Sequence, residues 1–102
     1  MNLRELEYLV ALADTGHFGQ AAQACGVSQP TLSAQIRRLE DDLGVALVVR
    51  GRRAELTAAG VRVTELARQM LALSDDIHAT ARECAGQPAP PLRVGVFPTL
   101  AP

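Results

Sequence analysis

Val63, Leu66, Met70, Leu73, Ile77, Thr80 and Cys84 follow one another at alternating steps of three and four. That spacing holds a mostly apolar seam on one side of a helix for about three heptads. Thr57 is a suitable N-cap ahead of the pattern, which runs to about Ala85. A helix over 58–85 would be about 42 Å long at 1.5 Å per residue. Residues 1–57 make too small a body to cover that length. The seam therefore predicts a partner helix, and the chain is constrained to a small globular unit followed by one long helix.

Within residues 1–57, apolar spacing gives three shorter helices. Leu3, Leu6, Leu9, Val10 and Ala13 share a face over 3–13, and "DTGH" at 14–17 breaks that helix at Gly16. A second helix is expected over 19–25, with Gly19 as a weak N-cap and Gly26 as its stop. Its Ala21 and Ala22 allow another helix to approach closely. The third helix opens at Ser28, a good N-cap, and carries Pro30 in its first turn, where a missing N–H costs little. It is expected to bury Leu32, Ile36, Leu39 and Leu43 and to present Pro30, Ser33, Ala34, Arg37, Arg38 and Asp41, ending at Gly44. "VALVV" at 45–49, "RGRR" at 50–53 and "AEL" at 54–56 read as a small hairpin with arginines at its tip. "GQPAPP" at 86–91 is a stiff hinge, and "LRVGVF" within 92–102 looks like a strand. A lone strand has nothing to pair with, so 92–102 reads as the truncated start of a further domain.

The second helix, the "CGVS" turn and the third helix form a helix-turn-helix pattern. In such a unit the N-terminal part of the second helix of the pair enters the DNA major groove. From Val27 through Leu39 there is no acidic residue; Glu40, Asp41 and Asp42 come only at the far end. A phosphate backbone would repel acid on the approaching surface, so this segregation suits DNA. The positive N-terminal end of the helix suits a phosphate as well. Gln29 could pair with adenine, and Arg37 could reach guanine or phosphate. Thr31 and Ser33 could touch base or backbone, and Pro30 or Ala34 a thymine methyl. The plainer reading is a polar helix face exposed to water. Arg50, Arg52 and Arg53 suit a narrow minor groove. Arg52 would equally serve as a charge that keeps a hairpin edge from aggregating, whereas Arg50 and Arg53 are read toward DNA.

Composition narrows the classes. Apolar residues are 48% of the chain, too many for disorder, and all ten basic residues are arginine against eleven acidic residues, for a net charge of −1. That balance excludes a uniformly basic nucleic-acid binder but not a segregated one. No apolar run approaches membrane-spanning length and no signal peptide is evident, so the default location is cytoplasmic. Cys25 reads as a small core residue and Cys84 as packing on the seam; His17 reads as a turn residue and His78 as a bordering contact. None has a companion at metal-ligand spacing, and no nucleophile triad or phosphate loop is present in the sequence. The chain is expected to be no enzyme and to need no metal or cofactor. A rival reading is a dimerisation module that binds protein and not nucleic acid.

The run "LEYLVALADTGHFGQAAQACGVSQPTLSAQIRRLEDDLGVALVVR", followed by "LTAAG", resembles the N-terminal DNA-binding part of LysR-type transcriptional regulators of bacteria. "LEYLVALA", "VSQPTLSAQIR" and "PLRVGVFPTLAP" look most like the peroxide-sensing OxyR branch. The resemblance implies a mainly α fold: a winged helix-turn-helix over 1–57 with the hairpin as a two-stranded wing, and a dimerising linker helix over 58–85. It implies that Ser28, Gln29, Pro30, Thr31, Ser33, Gln35 and Arg37 face the major groove or its phosphates, with Ala34 and Arg38 on the same surface. Arg50 and Arg53 would serve the wing. It implies double-stranded DNA as partner, at an imperfect palindrome, and a homodimer joined antiparallel through Val63, Leu66, Met70, Leu73, Ile77 and Cys84, with room for a tetramer of the full-length protein. An effector-sensing domain would begin near Leu92. Gly19 and Ala34 depart from the polar residues many relatives carry there.

Overall fold

The computed structural model describes residues 1–88; the expected strand over 92–97 and the hinge from 89 onward lie outside the described residues. The elements run α1 (Leu3–Thr15), α2 (Phe18–Cys25), α3 (Gln29–Leu43), β1 (Val48–Val49), β2 (Glu55–Leu56) and α4 (Ala58–Cys84). The two strands pair antiparallel, Val48 with Leu56 and Val49 with Glu55. The hairpin is shorter than the expected 45–49 and 54–56. Leu47 is fully buried in the core and gives its N–H to Glu40, so the ladder begins only at Val48.

α1 begins with a capping box that the apolar spacing alone does not display. The Asn2 side chain accepts from the Glu5 N–H, and the Glu5 carboxylate accepts from the Asn2 N–H. α2 starts one residue earlier than expected. His17, not Gly19, holds the N-cap position, without a side-chain hydrogen bond, and Gly19 lies inside the first turn. Gly26 closes α2 at φ 71°, a left-handed conformation that costs glycine little, and this sets the tight turn into α3. Ser28 caps α3 as expected, its Oγ accepting from the Thr31 N–H at 3.2 Å.

The core gathers Leu6, Leu9 and Leu12 of α1, Ala21 and Ala22 of α2, and Leu32, Ile36 and Leu39 of α3, with Leu47 and Val48 closing it. Burying each large side chain is worth about 1.5–3 kcal/mol. Leu43, expected inside with them, is 40% exposed. It falls in the last turn of α3 and lines an open apolar hollow of about 200 Å³ with Met1, Leu6, Val63, Leu66, Ala67 and Met70.

α4 is anchored at its start and free along most of its length. Its buried face is Gly60, Thr64 and Ala67, all small; Gly60 lies against the Leu47 backbone, and the helix packs along α1. Arg68 donates to Asp14 of α1 at 2.6 Å. On its other side the helix carries its apolar seam outward: Leu66, Met70, Leu73 and Ile77 are all exposed.

Candidate nucleic-acid interface

Packing of Leu32, Ile36 and Leu39 turns the opposite side of α3 outward. Ser28, Gln29, Pro30, Thr31, Ala34, Arg37 and Arg38 are exposed there, while Ser33 and Gln35 are half-buried at its margins. The Ser28 hydroxyl donates to Thr31 Oγ1 at 2.9 Å, so the capping residue and its neighbour orient each other. Arg37 and Arg38 make no ion pair among the described residues, which leaves both guanidiniums available to an anion. The face is thus neutral at the helix start and cationic near its middle.

The acids beyond it divide into two kinds. Asp41 and Asp42 are exposed at the far end, as the sequence pattern predicts. Glu40 is not. It turns inward, and its Oε2 accepts from the N–H groups of Leu47 at 2.8 Å and Val48 at 3.1 Å. Its Oε1 accepts from Arg50 Nη1 at 3.0 Å. Partial burial pushes the Glu40 carboxyl up, but the Leu47 N–H, the Arg50 guanidinium and the Val48 N–H outweigh it and hold the group below its ordinary value.

That geometry corrects the expected placing of Arg50. It does not sit at the wing tip. Its guanidinium is held by Glu40 and lies 5.7 Å from the centre of the Phe18 ring, a cation–π contact with the start of α2. The exposed arginines of the wing are Arg52 and Arg53. Arg53 reaches toward the α1–α2 turn, its Nη2 beside Gly16, and the next residue pins the wing there through Ala54 N–H to the Gly16 carbonyl at 3.1 Å. The wing is thus tied to the α1–α2 turn and to the start of α2, and Gln29 of α3 reaches the same turn of α2, its Oε1 3.5 Å from where a Cβ on Gly19 would stand.

The remaining candidates are placed as follows. Cys25 is half-buried against the core, and burial pushes its thiol up, which suits a packing residue. Cys84 is exposed at the end of α4. His17 is the exposed residue ahead of α2, and the His78 ring donates to the Ser74 carbonyl at 2.8 Å on its own helix. Of the seam, Val63 is half-buried against the core, whereas Leu66, Leu73 and Ile77 are 59%, 61% and 68% exposed. Among the described residues no group of three acidic, histidine or cysteine side chains is arranged to hold a metal ion. No helix among them is long and apolar enough to cross a membrane.

Two residues that shape this surface escaped the sequence reading. The sequence pattern groups Glu40 with its acidic neighbours, although it stands four residues after Ile36 and so on the inner side of α3. Gly60 had a signal too. A glycine three residues into a helix costs about 1 kcal/mol against alanine, which marks a close approach.

Three helices around one core, the third presenting a polar and cationic face beside a two-stranded hairpin, define a winged helix-turn-helix. Residues 3–61 match the family described as "Bacterial regulatory helix-turn-helix protein, lysR family", and the chain belongs to that family. It is 48% identical to the hydrogen peroxide-inducible genes activator of Pectobacterium carotovorum subsp. carotovorum over 100% of this chain. To the DNA-binding transcriptional dual regulator OxyR of Escherichia coli K12 it is 47% identical over the same span. The chain spans about a third, 34%, of the length of each. Among solved structures, the CbnR DNA-binding domain in complex with DNA superposes with a TM-score of 0.79 at 42% identity, covering 83% of this chain and 99% of that one. Full-length OxyR from Pseudomonas aeruginosa gives 0.79 at 42% identity, covering 86% of this chain and 30% of that one.

Proposed function

We propose that the chain is a sequence-specific DNA-binding module of a LysR-type transcription regulator, OxyR-like, acting as a homodimer in the bacterial cytoplasm. The observation that carries this is the outward face of α3. It is free of acid from Ser28 to Arg38 and holds two arginines that make no ion pair among the described residues, and the wing adds the exposed Arg52 and Arg53. Relatives solved on DNA, CbnR and BenM, support the partner, and relatives named as hydrogen peroxide-inducible activators support oxidative stress as the setting. In this reading Gln29, Pro30, Thr31, Ser33, Ala34, Gln35 and Arg37 meet base edges or adjacent phosphates. Ser28 and Arg38 hold the backbone, and Arg53 serves the wing. Arg50 acts from behind, by holding the wing base. α4 pairs antiparallel with its copy through Val63, Leu66, Met70, Leu73, Ile77 and Cys84. Two recognition helices then address successive major grooves of an imperfect palindrome. The rival reading, a protein-binding dimerisation module, accounts for the seam but not for the acid-free face.

Selection of bound sites from a random duplex pool, followed by a gel-shift titration in salt, tests the proposal. The expected result is a pair of dyad-related half-sites, with a log–log salt slope of about −0.9 per phosphate neutralised. Absence of retardation at micromolar protein in low salt would overturn the proposal and favour the rival.

A further inference from the structure

We propose that Glu40 and Gly60 are positioning residues of a rigid joint that fixes the angle between α3 and α4, and so the spacing of half-sites the dimer accepts. The inference rests on the DNA-binding reading above for its second clause and on geometry alone for its first.

One residue, Leu47, is held from both sides. Its N–H is taken by Glu40 of α3 at 2.8 Å, and its carbonyl accepts from the Thr57 N–H at 2.9 Å. The Thr57 hydroxyl donates to the Ala46 carbonyl at 2.7 Å and accepts from the Gly60 N–H at 2.9 Å, so the cap of α4 is tied to the same stretch of backbone. Gly60 then lies flat against it: a Cβ on Gly60 would stand 2.0 Å from the Leu47 oxygen. The Leu47 side chain is fully buried and cannot give. Glu40 extends the clamp through Arg50 to Phe18, which adds α2 to the same rigid body. The recognition helix and the long helix thus touch one fixed peptide segment, with no flexible linker between them.

The lever is long enough to matter. Alanine at 60 must move the helix back by at least about 1 Å, the least that takes its Cβ from 2.0 Å to 3.0 Å from the Leu47 oxygen, below which Cβ atoms are not tolerated. The last buried residue of α4 is Ala67, seven residues on, or about 10 Å, and the helix pivots there. A retreat of about 1 Å over about 10 Å is a tilt of about 6°. Half-sites stand about 34 Å apart or a multiple of it, so each recognition helix lies about 17 Å or more from the two-fold axis. The tilt then moves each by about 2 Å, and the pair by about 4 Å, close to the rise of one base pair.

The experiment measures the joint with and without DNA. Gly60→Ala and Glu40→Gln are made in the whole chain, with folding checked by circular dichroism. Spin labels on Cys84 and on Asp41→Cys, in a Cys25→Ala background, report the α3–α4 distance in the absence of DNA. Binding is read on duplexes carrying the two selected half-sites at spacings around the optimum, and on a duplex with one half-site. The expected result is a narrow distance distribution in the parent that shifts or broadens in each variant. On DNA, the spacing optimum moves by about one base pair, or the preference flattens, while single half-site affinity is retained. If Gly60→Ala fails to fold, Glu40→Gln decides by the same two readouts. Unchanged distances in the folded variants overturn the joint. Changed distances with an unaltered spacing profile, or with equal loss on every duplex, overturn its role in spacing. A parent that binds no duplex overturns the DNA-binding reading and the spacing role with it, and leaves the joint to be judged on the distances.

Discussion

Leu73→Ala should weaken dimerisation without unfolding the protomer. Three seam positions precede Leu73, at 63, 66 and 70, and three follow it, at 77, 80 and 84. Antiparallel pairing that matches the whole seam puts Leu73 on the two-fold axis against its own copy, so each substitution is felt twice. Its side chain is 61% exposed in the single chain. Complete burial of a leucine is worth about 1.5–3 kcal/mol, so burying the exposed fraction is worth about 1–2 kcal/mol per copy and about 2–4 kcal/mol per dimer. At 1.4 kcal/mol per tenfold, the dimer dissociation constant should rise about 30- to 700-fold. Sedimentation equilibrium over a range of protein concentrations measures it. Far-UV circular dichroism should stay near the parent's, because Leu73 lies beyond the last fully buried residue of α4, Ala67. An unchanged dissociation constant would refute the seam as the dimer contact. A lost helical signal would refute the independence of protomer folding from this position.

Cys84 reports on direction. In the antiparallel pair the two Cys84 residues stand eleven positions from the axis on opposite sides, about 33 Å apart, far beyond the roughly 7 Å Cα separation a disulfide tolerates. Mild oxidation of the dimer should give no covalent species on a non-reducing gel; a parallel pair would bring the two thiols together and give one. Glu40 reports on acid stability. Its carboxyl is held below its ordinary value of 4.5 in the fold, so its contribution is complete above that value and is lost as pH falls through the depressed one. Glu40→Gln should lower the urea midpoint at pH 7 and narrow the difference between pH 7 and pH 3.5 relative to the parent. An equal acid loss in the two proteins would remove Glu40 from the pH response.

Periodicity disclosed the elements because burial here follows it closely. Leu6, Leu9, Leu32, Ile36 and Leu39 are where steps of three and four put them, and each lies within the core. The α4 seam was equally plain, since an apolar stripe with nothing of its own to cover it must repeat at helical spacing. What periodicity could not give was any position whose role depends on a contact across the chain. Glu40 looked like a trailing acid because its partners, Leu47, Val48 and Arg50, are seven to ten residues away around a turn. Arg50 for the same reason looked like a free wing arginine. The buried face of α4 was hidden too, because Gly60, Thr64 and Ala67 are small and carry little hydrophobic signal of their own.

The residues that escaped are those that fix angles, whereas the residues that were legible supply burial or charge. The outward face of α3 can be drawn from sequence because its residues recur on one side of a single helix. Between α3 and the long helix, beside the packing of α4 on α1, stand one carboxylate, one hydroxyl and one missing Cβ, all meeting at residues 46–48. Such a meeting point leaves single, scattered marks: an acid on the inner side of a helix, a threonine cap, and a glycine where alanine would be the better helix former. Each has an ordinary explanation alone. Together they have one in common, that the backbone at Leu47 must be approached from two sides at once. That is a constraint on orientation, which a one-dimensional pattern records only as exceptions to itself.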